Sequence, residues 1–205
     1  MKDGMRRLAV LYSFGLAGVF PASLGAQTTG MPSFNAPYRV FQRSELGAVL
    51  SFPDGDGFGL EGVYRYASGK FDIGFRAGMQ DPGGGGKSLL LLGAEARHRI
   101  ITHNADFPLD GALVAGVGSA LESGSGTLYI PFGLSLGRRI DIQNSKMSVV
   151  PYVQPTAFYR ADGNSDLFFT LGFGADLRLT QTIDARVSAG LGDLHGVSLG
   201  AVWVH

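Results

Sequence analysis

The feature that most constrains this chain is an alternation of apolar side chains with small or polar ones. It is clearest over residues 128–140, where one parity holds large apolar residues and the other holds mostly smaller or polar ones. Successive side chains of a β-strand point to opposite faces, so a strand here has one apolar and one polar face. The pattern recurs in about ten segments separated by turns rich in Gly, Asp, Asn and Ser, which indicates a meander of antiparallel hairpins.

Glycine decides which face of these strands meets water. The chain has 32 glycines, and many of them lie on the polar parity. A soluble sandwich would place solvated polar residues there, and glycine is a poor choice for such a surface. Glycine suits a face that points into a crowded lumen, with the bulky apolar face turned to lipid. A soluble periplasmic β-barrel remains an alternative, because alternation alone does not show which face is wet.

We therefore predict an all-β chain that forms a closed antiparallel up-and-down transmembrane β-barrel over residues 44–205. About ten strands are expected, and eight are possible. The predicted strands lie near residues 44–52, 57–67, 71–80, 88–101, 109–121, 127–141, 147–160, 166–179, 182–192 and 196–205.

The first 26 residues have the three-part layout of a secretory signal peptide. Lys2, Arg6 and Arg7 precede an apolar stretch over residues 8–20, and small residues follow as far as Ala26. The apolar stretch is short for a spanning helix, so cleavage near Ala26 is favoured over a retained helical anchor. Residues 27–43 are polar and mixed, and we interpret them as a periplasmic lead-in segment.

The last strand carries the most specific pattern in the chain. Ser198, Gly200 and Trp203 follow the spacing of the final strand of bacterial outer-membrane barrels, and His205 stands where phenylalanine is usual. The chain resembles the small outer-membrane barrels of the outer-membrane protein A and opacity-protein type, a porin-type superfamily. The resemblance implies a location in the bacterial outer membrane, contact with its lipid, and recognition of these four residues by the barrel-assembly machinery. It implies no activity, because barrels of this architecture differ in function.

Opposite charges recur two or four residues apart on the inward parity of several strands. Buried charges are costly unless they are paired, so we expect them to form an ion-pair network across the strands. The network is either a polar core that plugs the barrel or the lining of a selective pore. The plug is favoured because a barrel of about eight to ten strands has little free interior once side chains fill it. The predicted members are Glu61, Arg65, Asp72, Arg76, Glu95, Arg97, Arg139, Asp141, Asp176, Arg178, Asp184 and Arg186.

Other chemistry finds little support in the sequence. Residues 81–88 resemble a phosphate-binding loop only superficially, because the first glycine of that motif is replaced by Asp81. Asp193 and His195 in the last loop could form an Asp-His pair of a hydrolase, but such a pair is far more often a solvated turn. The chain has no cysteine and a formal net charge of zero. The missing cysteines exclude a cysteine-based metal site, and the zero net charge gives no sign of nucleic-acid binding; no cofactor and no metal is expected.

The sequence predicts a non-enzymatic outer-membrane barrel with a structural or interaction role and a narrow or plugged, charge-lined lumen. A porin-like channel for ions or small solutes is the alternative, and an outer-membrane hydrolase is a distant one. The predicted loops on the outer side are short, which argues against a dedicated adhesin.

Overall fold

The computed structural model describes residues 28–37, 43–54, 57–162 and 165–205. The predicted signal peptide at 1–26 and positions 27 and 38–42 of the predicted lead-in lie outside the described residues. Within the described ranges the chain forms ten long strands and one short strand. These are β1 (Glu45–Pro53), β2 (Phe58–Ser68), β3 (Phe71–Asp81), β4 (Leu89–Ile101), β5 (Asp110–Glu122), β6 (Ser125–Gly137), β7 (Ile140–Asp141), β8 (Ser148–Ala161), β9 (Ser165–Arg178), β10 (Ile183–Gly192) and β11 (Gly196–Val204).

The ten long strands close into an antiparallel barrel. Strands next to one another in the chain pair by hydrogen bonds, and β6 continues the sheet by pairing with β8. The ring is completed by β1 and β11, which pair from Glu45 opposite Val204 to Pro53 opposite Gly196. Closure leaves no unpaired edge between the long strands. The predicted ten-strand closed barrel is confirmed.

The predicted segment 127–141 is divided between β6 and the two-residue β7. In the register of β6 and β8, Leu128 lies opposite Ala161 and Gly137 lies opposite Tyr152. Continuing this register places Arg138 opposite Pro151, and β7 resumes the same pairing beyond this point. The amide of Arg138 donates to the carbonyl of Pro151 at 3.3 Å, but proline has no amide hydrogen with which to return a bond, so the regular ladder is interrupted there.

The outer wall carries the apolar parity, as the alternation predicts. Large apolar side chains point away from the axis on the long strands and are 38–69% exposed, and examples are Leu60, Phe75, Phe132, Leu167 and Leu199. Such a continuous apolar surface is typical of a wall that faces acyl chains.

The two ends of the barrel differ in their connections. We call the end where β1 begins and β11 ends the base, and the opposite end the top. Residues 69–70, 102–109, 138–147 and 179–182 connect strands at the base, and 54–57, 82–88, 123–124, 162–164 and 193–195 connect them at the top.

Candidate functional site

Residues 28–37 lie inside the barrel, and we call them the lumen segment. Thr28, Met31 and Ala36 have no exposed surface, and Phe34 is 1% exposed. We had expected these residues to form a lead-in segment that precedes the barrel, whereas the structure places them within its lumen. The local sequence has no strand periodicity, so nothing in it indicated that the wall would surround it.

Two small apolar clusters anchor the lumen segment. Met31 packs toward the top, and Phe34 and Ala36 pack further down. Each cluster therefore joins the lumen segment to inward-facing apolar side chains of the wall. The partners are Leu91, Ala120, Tyr129 and Phe158 of the wall around Met31, and Val150 and Tyr152 of the wall with Leu194 of the β10–β11 loop around Phe34 and Ala36.

The wall also satisfies the backbone of the lumen segment. The hydroxyl of Tyr152 donates to the carbonyl of Phe34 at 2.8 Å, and that of Ser135 donates to the carbonyl of Asn35 at 2.8 Å. The hydroxyls of Ser188 and Ser198 both donate to the carbonyl of Pro32, at 3.2 and 3.0 Å. A buried backbone group without a partner is costly, and these bonds remove that cost without a sheet or a helix.

Side chains of the lumen segment join the buried ionic groups. The hydroxyl of Thr29 donates to the carboxylate of Glu61 at 2.7 Å. The guanidinium of Arg76 donates to the hydroxyl of Ser33 at 2.9 Å, and that of Arg97 donates to the carbonyl of Ala36 at 3.2 Å. The lumen segment is therefore part of the polar core of the barrel.

Inward-facing glycines provide the space for the lumen segment. An ideal Cβ at Gly172 would overlap the ring of Phe34, and one at Gly118 would overlap the backbone of Thr28. A Cβ at Gly93 would approach the side chain of Thr28 to 3.0 Å. The excess of glycine on the inward parity thus corresponds to the volume that the lumen segment occupies.

Arg65 is the centre of one buried ionic cluster. It bonds to Asp72 at 2.7 Å and also to Glu95, and Arg97 bonds to the same Asp72 at 3.2 Å. These four side chains come from β2, β3 and β4, and each is at least nine-tenths buried. The cross-strand register brings them together, since Arg65 lies two rows from Asp72 and Asp72 is directly opposite Arg97.

A second ionic cluster joins the strands around the closing pair. Arg186 bonds to Glu45 and, at 3.3 Å, to Asp176. Arg178 bonds to Asp184 at 3.1 Å. A further buried pair, separate from this cluster, joins β3 to β2, where Arg76 bonds to Glu61 at 3.3 Å.

Ten of the twelve predicted network residues lie in these buried clusters. Arg139 and Asp141 do not; they bond to each other at 2.6 Å near the base, where the Asp141 side chain is 70% exposed. Glu45 belongs to the network but was missed, because the charge of the same parity beside it, Arg43, precedes the predicted strand 44–52.

The buried charges nearly balance. Among the described residues, the network contains the carboxylates of Glu45, Glu61, Asp72, Glu95, Asp176 and Asp184 and the guanidiniums of Arg65, Arg76, Arg97, Arg178 and Arg186. Neighbouring charges of opposite sign cancel, so this interior presents no ring of one sign that would attract an ion.

Three residues of the predicted assembly signal lie in β11, on both of its faces, and His205 directly follows the strand. Ser198 faces inward, accepts a hydrogen bond from Ser51 at 2.7 Å and lies close to the lumen segment. Trp203 faces outward and is 50% exposed, and its ring stacks on that of His205 with 4.6 Å between centroids. Gly200 lies beside Val49 and Arg186.

Asp193 and His195 do not contact each other as a catalytic pair. The carboxylate of Asp193 accepts the amide of Phe169 at 2.8 Å. His195 Nε2 bonds to the Asp54 carboxylate at 2.6 Å, and Nδ1 bonds to the carbonyl of Gly192 at 2.9 Å. The carbonyl of Gly192, followed by the Asp54 carboxylate, raises the pKa of His195. Both ring nitrogens are occupied, which leaves neither available to a water molecule or a nucleophile.

Clefts lie at the top and at the base of the barrel. The top cleft has a volume of about 340 Å³ and is lined by Gly30, Tyr129, Arg160 and other residues. The base cleft has a volume of about 400 Å³ and is lined by Arg43, Arg139, Lys146, Arg178, Gln181 and Thr182. In the part of the chain that the structure describes, no three acidic or histidine side chains are arranged to hold a metal ion.

Comparisons with known proteins support the fold. No family model matches the sequence, and no curated protein matches it. The beta domain of the Bordetella autotransporter BrkA is similar in structure, with a TM-score of 0.51 and 14% identity over 80% of this chain and 97% of that domain. A bacterial polysaccharide outer-membrane secretin matches with a TM-score of 0.46 and 11% identity over 80% of this chain, which spans 65% of the secretin chain.

A de novo designed transmembrane β-barrel also matches, with a TM-score of 0.37 and 16% identity over 80% of this chain and 95% of the design. Identities this low concern the barrel fold alone. Among the described residues, no helix is long and apolar enough to cross a bilayer.

Proposed function

We propose that this chain is a bacterial outer-membrane barrel with a structural or interaction role, whose lumen is closed by its own lumen segment. The observation that carries this proposal is the burial of residues 28–37 between the wall strands, with polar groups bonded to the wall along their length. A nearly balanced ionic core around a polypeptide supports a closed lumen, because side chains and backbone occupy the space that a solute would need.

Conductance in planar bilayers tests the proposal. The refolded wild-type barrel is expected to give no resolved channel steps. A variant lacking residues 28–37 is expected to conduct, because the volume beside the inward glycines becomes available to water. The heat-dependent gel shift of a folded barrel serves as the folding control for both proteins. Steady conductance by the wild-type protein, equal to that of the deletion, would contradict the proposal.

A gated channel for ions or small solutes is the second candidate function. The clefts of about 340 and 400 Å³ at the top and the base favour it, since the lumen segment and the buried ion pairs lie between the two ends of the barrel. Reversible openings of the wild-type protein, absent when the lumen segment is tethered to the wall by a Phe34→Cys/Gly172→Cys disulfide, would support this alternative.

The outer-membrane location is supported by the apolar outer wall and by the resemblance of the last strand to those of outer-membrane protein A and opacity-type barrels. Under this proposal residues 1–26 act as a signal peptide, and Ser198, Gly200, Trp203 and His205 are recognised during assembly. Fractionation tests the location, and the mass of the mature chain tests cleavage near Ala26. Recovery in the periplasmic fluid would instead favour the soluble-barrel alternative.

We propose that the barrel is not a hydrolase. The contacts of His195 with Asp54 and Gly192, and of Asp193 with Phe169, support this. Peptide and ester hydrolysis by the purified barrel should therefore equal that of the His195→Ala and Asp193→Ala variants. A loss of activity in either variant would contradict it.

A further inference from the structure

The charged residues that line the base cleft are all cations. Four of its six lining residues are cations, namely Arg43, Arg139, Lys146 and Arg178, and the other two are the neutral Gln181 and Thr182. They come from different parts of the chain: Arg43 precedes β1, Arg139 and Lys146 flank β7, and Arg178 ends β9. The closed barrel therefore brings these charges together at the base, although they are remote in sequence.

Two of the four cations are already partly neutralised. Arg139 bonds to the exposed Asp141, and Arg178 bonds to the buried Asp184. Arg43 and Lys146 are exposed and have no ion pair with any described residue. The cleft thus has an excess of positive charge at the base of the barrel. A cleft lined by one sign concentrates the field and attracts a counter-ion.

The ends of the barrel also differ in charge. At the top, most of the exposed ionic side chains of the described residues are carboxylates, namely Asp54, Asp81, Asp162, Asp166 and Asp193. At the base, exposed or half-buried cations prevail, namely Arg43, Lys70, Arg138, Arg139, Lys146 and Arg178. An anion is therefore repelled from one end and attracted to the other, which makes the base cleft the preferred place for it.

We propose that the base cleft binds a phosphate-bearing anion. Guanidinium groups pair with phosphate through two parallel hydrogen bonds, and Lys146 supplies a compact positive charge beside them. Phosphate has enough oxygens to bond to several of these donors at once, and a volume of about 400 Å³ accommodates a diphosphate or a lipid headgroup. A free phosphate compound and a phospholipid headgroup offer the same chemistry. Binding of a phospholipid headgroup rests on the proposed membrane insertion of the barrel, whereas binding of a free phosphate compound does not.

Calorimetry and lipid retention together test the site. Inorganic pyrophosphate is titrated into the full-length barrel in neutral detergent. In parallel, the barrel is reconstituted in phosphatidylcholine nanodiscs with or without phosphatidylglycerol, and the retained lipid is identified by native mass spectrometry. The site variant is Arg43→Gln/Lys146→Gln. The matched control is Lys87→Gln/Arg160→Gln, which removes the same charge from the top, the opposite end of the barrel.

We expect the site variant to weaken binding of at least one probe by about ten-fold or more, the equivalent of one lost charge-assisted bond. The control variant should bind as the wild type does. Pyrophosphate binding alone identifies a free phosphate compound, and selective retention of phosphatidylglycerol identifies a headgroup. The proposal is overturned if the wild type binds neither probe, or if the two double variants bind equally. Failure to enter nanodiscs counts against the proposed location, while the pyrophosphate titration still decides the site.

Discussion

Gly172 in β9 leaves open the space that the phenyl ring of Phe34 fills. A Cβ built at residue 172 would overlap three carbon atoms of that ring, and Phe34 is 1% exposed. A glycine of the wall and an aromatic residue of the lumen segment are thus complementary. The contact joins residues 138 positions apart in the chain, and it depends on the absence of a single side chain.

Replacing Gly172 with leucine should displace the lumen segment. Overpacking of a filled interior lowers the free energy of unfolding by about 1–3 kcal/mol. The midpoint of urea unfolding should therefore fall, which the fluorescence of the single tryptophan, Trp203, can follow. Conductance should also appear. Gly62→Leu is the matched control, because a Cβ at Gly62 on the outer face meets only the carbonyl of Ala77 at 3.7 Å. Equal behaviour of the two variants would argue against this role for Gly172.

Removing the guanidinium of Arg65 should destabilise the barrel strongly. Arg65→Met leaves Glu95 without its direct ion-pair partner and leaves Asp72 with Arg97 alone. Breaking a buried pair on one side costs about 3–5 kcal/mol, measured as a loss in the free energy of unfolding. Arg139→Gln at the exposed base pair should cost less than about 1 kcal/mol. The predicted importance of the network is refuted if the two losses are similar.

Thiol labelling can locate the lumen segment directly, because the natural chain has no cysteine. Thr28→Cys is nearly isosteric, and the Thr28 hydroxyl has no hydrogen-bond partner among the described residues, so no bond is lost. Since Thr28 is fully buried, the cysteine should react with a water-soluble maleimide only after unfolding. Ser123→Cys in the exposed β5–β6 turn should react at once. Rapid labelling of Thr28→Cys in the folded barrel would place the segment elsewhere.

Protonation of His195 should stabilise the contact between the β1–β2 and β10–β11 loops. The pKa of His195 is raised above its ordinary value of 6.5, so the stabilisation is fully present below pH 6.5 and is lost as pH rises through the raised pKa. Both partners are exposed, so solvent screening limits the effect to less than about 1 kcal/mol. Nuclear magnetic resonance titration should show a lower His195 pKa in Asp54→Asn, with His195→Gln identifying the signal. An unchanged titration would show that Asp54 contributes nothing.

The strands and their faces were predictable from the sequence because the periodicity of a strand is local. Leu128, Ile130 and Phe132 face outward as their parity indicates, and Asp72 and Arg76 face inward. The break after β6 was not predicted, because it depends on Pro151 in another strand. Periodicity tells which face a residue takes, whereas the residue opposite it depends on the register between strands.

The contents of the lumen were only half predictable. The glycines indicated a crowded interior, and the alternating charges indicated ion pairs. The lumen segment was missed because Met31, Phe34 and Ala36 have no period that marks burial, and their partners Leu91, Val150 and Leu194 lie far away in the chain. The partners of Arg65 and Arg186 were missed for the same reason, since each pairs with residues of other strands.

The lumen segment also limits the order in which this barrel can form. It touches the wall on both sides of the β1–β11 seam, through Glu61 of β2 and Ser198 of β11. Entry into a finished tube would require ten residues to be threaded through a passage just wide enough to hold them. We infer that the wall winds around these residues while the seam is still open, so that the lumen segment acts as a template for the strands that follow it.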